Sequence, residues 1–152
     1  MSPLPATAPQ THDIFALAEA LRRPVLRISR RLRQEGQKAG LSAQDSLILG
    51  YLKKNPGAGV SELADLEQVS RPTMSSHIKR LAAAGWVART DDAEDGRRQG
   101  LTVTPAGIRK HDAIQRHRND WLAARLVRLT PEERERLADA AGVLLRLVSV
   151  EA

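Results

Sequence analysis

The order of local patterns over residues 60–104 constrains the fold of this chain more than any other feature. Apolar residues at helical spacing, a short turn and two strand-like runs follow one another without a long linker. The pattern predicts a helix, a turn, a second helix and two strands, over residues 61–66, 67–69, 70–84, 86–90 and 101–104. The loop between the strands is too polar to pack in a core, so we expect a charged hairpin there.

This succession of elements is that of a winged helix-turn-helix. In that fold the second helix enters the major groove of DNA, and the hairpin lies beside it. The segment therefore predicts an activity, the binding of duplex DNA, against which the rest of the chain can be tested.

Five short motifs occur in a fixed order, and the most specific is Asp95-x-Arg97 followed by Leu101-Thr102. The other four are SELA at residues 61–64, SRPT at residues 70–73, Leu81 with GWV at residues 85–87, and LTPEE at residues 129–133. Together they resemble the MarR family of bacterial transcription regulators, and the resemblance extends over most of the chain. It implies a mainly α fold with a small β-hairpin wing (α+β), in which a winged helix-turn-helix is joined to a helical dimerisation bundle.

Three regions are predicted along the chain. Residues 1–10 contain three prolines among small residues, which predicts a disordered N-terminal tail. Residues 41–104 are expected to form the DNA-binding region. Residues 11–40 and residues 105–152 are expected to form the helical dimerisation region.

A long first helix is predicted over residues 11–36, because apolar residues recur there at steps of three and four. Pro24 lies in its middle, where it lacks a backbone donor and clashes with the carbonyl four residues back. We therefore expect a kink or a break near residues 21–23.

Ser42 and Asp45 are spaced as a capping box, which predicts a second helix over residues 43–55. The residues expected to be buried on this helix are Leu47, Ile48, Tyr51 and Leu52. Thr130 and Glu133 form another box and begin the last helix of the chain.

The terminal helices are expected to form a dimer interface, because their apolar faces exceed what a small winged domain needs for its own core. The residues expected at this interface are Ile14, Leu17, Leu21, Leu137, Leu144 and Val148. The alternative is that these helices pack only onto their own domain. A two-fold dimer on a palindromic site doubles its DNA contacts, and the family resemblance implies the same arrangement.

On the second helix of the helix-turn-helix, Met74, Ile78 and Leu81 share one side and are expected to face the core. His77 borders that side and is not expected to contact bases. The residues predicted to contact DNA are Ser70, Arg71, Pro72, Thr73, Ser75, Ser76, Lys79 and Arg80.

Small hydroxyl residues early in this helix allow close approach to base edges, and Ser70 is placed to cap the helix. Lys79 and Arg80 can reach phosphates or a guanine. A merely solvated face would explain any one of these residues, but explains less well a whole set after a helix-turn-helix.

In the wing, Arg97 and Arg98 follow Gly96, which permits a tight turn. Arginine favours a narrow minor groove because of the negative potential there. The resemblance implies that Arg97 inserts into this groove and that Asp95 holds its guanidinium. A plain charged hairpin is the alternative interpretation.

Composition agrees with a polyanion partner. The 24 Lys and Arg exceed the 18 Asp and Glu, which gives a formal net charge of +6. Phosphates attract such an excess, and binding releases counterions. A basic protein with no DNA partner would have the same composition, so charge alone decides nothing.

Several function classes are excluded. The chain has no cysteine, so no disulfide, thiolate metal site or cysteine-based peroxide sensing is available. Its four histidines are scattered, so we expect no metal and no cofactor. No apolar run is long enough to span a membrane, and the N-terminus lacks a secretory signal, so we expect a cytoplasmic protein. No catalytic constellation is present, so we expect no enzyme.

The family resemblance also implies a small aromatic or phenolic effector, bound between the helical bundle and the DNA-binding region. Tyr51 and Trp121 are the candidate lining residues, with Arg27 as the candidate partner of an anion, although core packing is the favoured role of both aromatics. The alternative function is an architectural protein that binds DNA without a specific operator.

Overall fold

Six helices and one β-hairpin make up residues 13–91 and 99–149, the part of the chain that the computed structural model describes. The elements are α1 (Ile14–Lys38), α2 (Ala43–Lys54), α3 (Val60–Leu66), α4 (Arg71–Ala83), β1 (Val87–Asp91), β2 (Gln99–Val103), α5 (Pro105–Leu126) and α6 (Pro131–Ser149). The predicted fold class, mainly α with a small hairpin, is confirmed. The predicted disordered tail lies outside the described residues.

Helix starts lie where the predicted caps put them. Ser42 Oγ accepts a hydrogen bond from the backbone N–H of Asp45 at 3.0 Å. Thr130 and Glu133 form both halves of their box, at 2.9 and 3.2 Å. At Ser42 only one half forms, because the Asp45 carboxylate bonds to side chains of α4 instead.

The core lies beneath the helix-turn-helix and is sealed by α5. Its largest fully buried side chains are Ile48, Leu49, Leu52, Leu63, Met74, Ile78, Leu81, Leu101 and Ile114. Burial of Ile48 and Leu52 was predicted, whereas the prediction for Leu47 is wrong, because this side chain is 57% exposed. Tyr51 is half-buried. The buried face of α2 therefore includes Leu49 and not Leu47.

The wing is an antiparallel hairpin whose register pairs Val87 with Val103. Its base is fixed to the loop after α2, since the Gly57 N–H donates to Leu101 O at 2.8 Å and the Leu101 N–H donates to Ala58 O at 2.9 Å. The hairpin therefore leaves the core at a fixed place, immediately after α4.

The first helix continues through Pro24 without a break, so the predicted break is wrong. Only its C-terminal half packs on α5. There, Lys110 Nζ donates to Ala39 O at 2.8 Å, and Arg118 Nε donates to Leu32 O at 3.2 Å. The N-terminal half of α1 is mostly exposed, and α6 has no buried residue.

Candidate nucleic-acid interface

The N-terminus of α4 begins at a defined cap and faces solvent. Ser70 Oγ accepts from the Thr73 N–H at 3.2 Å, and the two hydroxyl oxygens are 2.8 Å apart. Met74, Ile78 and Leu81 are buried, as predicted, and fix which side of the helix is presented. The structure leaves the predicted DNA-contacting residues of this helix exposed: Ser70, Arg71, Pro72, Thr73, Ser75, Ser76, Lys79 and Arg80.

Ser76 is held close to the helix. Its hydroxyl donates to the carbonyl of Pro72 at 3.1 Å, which turns the side chain along the helix. A short side chain in this position leaves the helix surface open, so a base edge could approach closely.

Arg80 has an acidic partner that sequence reasoning missed. Its Nη2 donates to both oxygens of the Asp45 carboxylate, at 2.7 and 2.9 Å. The Arg80 side chain is 56% exposed, whereas that of Asp45 is only 7% exposed. Asp45 was interpreted as half of a capping box. Asp45 precedes the buried residues Ile48, Leu49 and Leu52 by three, four and seven positions. This helical spacing places Asp45 on the buried face of α2 and was the signal in the sequence that its side chain points inward.

His77 completes this cluster. Its Nδ1 lies 2.9 Å from Asp45 Oδ1 and 2.8 Å from Arg80 Nη2. Nδ1 can donate to the carboxylate or accept from the guanidinium, but it cannot do both. His77 is half-buried, in agreement with its predicted position at the border of the core.

The pKa of the Asp45 carboxyl lies below its ordinary value. Burial alone would raise this pKa, but hydrogen bonds from Arg80, His77 and Ser42 outweigh burial and favour the carboxylate. The cluster is therefore a buried anion between α2 and α4, neutralised by a cation that is itself largely in solvent.

Asp95, Arg97 and Arg98 lie outside the described residues. Their proposed contacts with DNA stay predictions.

The three residues predicted to bind an effector lie in two different grooves. Arg27 and Trp121 line a groove of about 430 Å³ between α1 and α5. The Arg125 guanidinium lies 3.8 Å from the Trp121 ring centroid. The Trp121 indole Nε1 is buried with no hydrogen-bond partner in the described part of the chain.

Tyr51 lines a separate groove of about 610 Å³ between α2, α3 and α5. Its hydroxyl donates to Glu62 Oε1 at 2.6 Å, and this bond, helped by burial, raises the pKa of Tyr51. Lys53 and Arg118 also line this groove, together with His111, so basic side chains lie beside an aromatic ring.

Two further features are absent from residues 13–91 and 99–149. No three His, Asp or Glu side chains there lie close enough together to hold a metal ion. No helix in the same ranges has the length and hydropathy needed to cross a membrane.

Comparison with known proteins gives consistent matches. The sequence profile of the MarR family matches residues 39–98. An uncharacterized HTH-type transcriptional regulator of Mycobacterium bovis is 35% identical over 132 residues, which cover 87% of this chain and 92% of that protein. The HTH-type transcriptional repressor MdtR of Bacillus subtilis is 29% identical over 111 residues, 73% of this chain and 70% of that protein.

A solved structure is similar over nearly its whole length. A transcriptional regulator protein from Pseudomonas aeruginosa superposes with a TM-score of 0.79 at 27% identity, and the match covers 93% of this chain and 99% of that one. The relatives and the fold are those of transcription regulators and not of enzymes.

Proposed function

This chain belongs to the MarR family of DNA-binding transcription regulators, and from that premise we propose that it is a repressor that binds a palindromic operator as a homodimer. The observation that carries the proposal is the α4 surface, which presents a capped N-terminus and a continuous set of exposed hydroxyl and basic side chains. Such a surface suits contacts with both base edges and phosphates. Repression is proposed because the MdtR relative is named a repressor.

The proposed dimer interface is formed by the N-terminal half of α1 and by α6. Of the residues predicted at this interface, Leu21 is half-buried in the single chain, and the others are exposed: Ile14, Leu17, Leu137, Leu144 and Val148. Apolar faces this long are rarely left in water by soluble monomers, and covering them with a second copy is the simplest solution. We assign residues 11–40 and 105–152 to this interface region, and residues 41–104 to DNA binding.

A second copy also explains the operator that we propose. Two α4 helices related by a two-fold axis match two half-sites one helical turn apart, which makes the site a palindrome. Because its ligand is the bacterial chromosome, the regulator would act in the cytoplasm.

The proposed effector is a small aromatic or phenolic anion. The groove that contains Tyr51 lies between the helix-turn-helix and α5, and a ligand there would alter how the DNA-binding region sits on the bundle. Salicylate serves as a probe: it should release bound DNA, and Tyr51→Ala should weaken that release more than Trp121→Phe does. If Trp121→Phe has the larger effect, the effector groove is the one between α1 and α5. If no phenolic anion releases DNA at millimolar concentration, this part of the proposal is wrong.

Selection of bound fragments from the source genome tests the central proposal. A shared short palindrome in the recovered fragments, protected over two half-sites in footprinting, is the expected result. Recovery of fragments without a common sequence would contradict a specific operator and would favour the alternative, an architectural DNA-binding protein.

A further inference from the structure

We propose that Asp45 is a positioning residue that fixes the Arg80 guanidinium for contact with DNA and so contributes to the choice of operator, without touching DNA itself. The inference rests on the proposed function. A single nitrogen of Arg80, Nη2, donates to both oxygens of the Asp45 carboxylate. Among the residues that the structure describes, Nη1 and Nε of Arg80 have no hydrogen-bond acceptor, so each of these two donors is available to a base or a phosphate.

The Asp45 side chain is held in place by its surroundings, whereas the Arg80 side chain is largely in solvent. Asp45 lies in the first turn of α2, its backbone N–H is bonded to Ser42 Oγ, and its side chain is almost fully buried. Arg80 extends from α4 into solvent, where an unanchored arginine would occupy many rotamers. Holding one nitrogen in place removes part of the conformational entropy that would otherwise be lost on binding.

Positioning matters for sequence choice because the donors of a guanidinium point in fixed directions in one plane, so a base edge accepts from them only when that plane is correctly oriented. A lysine or a freely rotating arginine still attracts phosphates, but it discriminates poorly between bases. A negative charge close to the DNA-binding surface repels phosphates, so the Asp45 carboxylate weakens the general attraction of this surface for DNA. The same carboxylate holds the Arg80 guanidinium in one orientation.

Binding to the operator and binding to scrambled duplex should therefore respond differently when the Asp45 charge is removed. Asp45→Asn keeps the shape of the side chain but removes the charge that anchors Arg80. Operator binding should then weaken, while binding to scrambled duplex should stay the same or become tighter. The ratio of the two affinities should fall by at least about fivefold, the low end of what one good side-chain pair with a base provides. A loss of folded protein would weaken binding to both duplexes equally and leave the ratio unchanged.

The test is a double-mutant cycle measured by fluorescence anisotropy at one salt concentration and one pH. The proteins are the parent, Asp45→Asn, Arg80→Ala and the double variant, each titrated with the selected operator and with scrambled duplex. If Asp45 acts through Arg80, adding Asp45→Asn to Arg80→Ala leaves the ratio as it is in Arg80→Ala alone. An equal fall in ratio with and without Arg80 would overturn the proposal, as would an unchanged ratio in Asp45→Asn.

Asp112→Asn is the matched control for charge. It removes the carboxylate of the 2.8 Å salt bridge between Asp112 of α5 and Lys53 of α2, which is not bonded to Arg80 in the described part of the chain, and it should leave the ratio unchanged. A fall equal to that of Asp45→Asn would assign the effect to net charge and overturn the inference.

If Asp45→Asn does not fold, Arg80→Lys provides a second test of whether discrimination depends on the oriented guanidinium. This variant retains the positive charge but not the planar donors, so it should bind scrambled duplex like the parent and lose discrimination. Full discrimination by Arg80→Lys would overturn the proposal. Failure of the parent itself to prefer the operator would instead contradict the proposed function.

Discussion

Arg118 of α5 donates a hydrogen bond from its Nε to the backbone carbonyl of Leu32 in α1, at 3.2 Å. Its Nη1 also donates to Ser46 Oγ of α2, at 3.2 Å. Burial lowers the pKa of this arginine. One guanidinium therefore joins three helices at the place where the DNA-binding region meets the bundle.

Replacing Arg118 with Met should lower the free energy of unfolding by about 1–3 kcal/mol, because the buried Ser46 hydroxyl and the Leu32 carbonyl lose a donor. Urea denaturation at neutral pH measures this change. Arg116→Met is the control, since Arg116 is exposed on the same helix and should change stability by less than about 0.5 kcal/mol. Equal stability of the Arg118→Met variant and the parent would show that the junction does not depend on this side chain.

Dimer formation should depend on the exposed apolar face of α6. Replacing Leu144 and Val148 with Asp puts charges where a second copy is proposed to pack, so little folded protein, or aggregated protein, is expected. Arg136→Ala, also exposed on α6, should behave like the parent. A well-folded monomer of the unmodified chain in light scattering would refute the proposed dimer.

Helix starts could be predicted from the sequence because a cap is a local interaction. Thr130 and Glu133 are three residues apart, and their mutual hydrogen bonds depend on nothing else in the fold. The same reasoning found the buried face of α4 through Met74, Ile78 and Leu81. Local rules were less useful at Pro24, where α1 continues although the residue removes a backbone donor.

The cluster at Asp45 could not be predicted because its partners are remote in sequence. His77 and Arg80 lie 32 and 35 residues further along the chain, and only the packing of α4 on α2 brings them together. The error at Leu47 has a related cause: steps of three and four fit two neighbouring faces of α2, and contact with the rest of the core decides between them. The effector residues were likewise separated, since nothing in the sequence shows that Trp121 lies on the side of α5 that faces α1, whereas Tyr51 lines a groove on another side of α5.

Acid should destabilise the protein partly through Asp45. A carboxylate with a depressed folded-state pKa adds stability that is fully present above its unfolded pKa, near 3.8, and is lost as the pH falls through the folded value. Urea midpoints measured from pH 6 down to pH 2 should therefore fall for the parent and fall less steeply for Asp45→Asn. Glu35 and Asp112, whose pKa values are also lowered, contribute in the same direction and keep some acid sensitivity in the variant. Identical pH profiles would contradict this role.

The wing should contribute more to the affinity for DNA than to the choice of DNA sequence. If Arg97 enters the minor groove, Arg97→Ala should weaken binding by about 1–3 kcal/mol per site and largely spare preference at the bases contacted by α4. Asp95→Ala should act in the same direction but less, because it removes only the support for Arg97. Titration of each variant against operator and scrambled duplex at one salt concentration measures its affinity and its sequence preference. If Arg97→Ala binds both duplexes as tightly as the parent does, the wing is a solvated hairpin.

Sequence preference should instead change at Ser76. Its short side chain, folded back onto Pro72 by a 3.1 Å hydrogen bond, leaves the exposed face of α4 open to base edges. Ser76→Gln adds a longer side chain with an amide that can pair with adenine in the major groove. Selection from a library of randomised operators should therefore give a changed base preference at one position in each half-site, while Ala82→Gln, exposed later on the same helix, should leave the preference unaltered. If Ser76→Gln selects the same sequences as the parent, this face of α4 does not approach the bases, and the assignment of the interface is wrong.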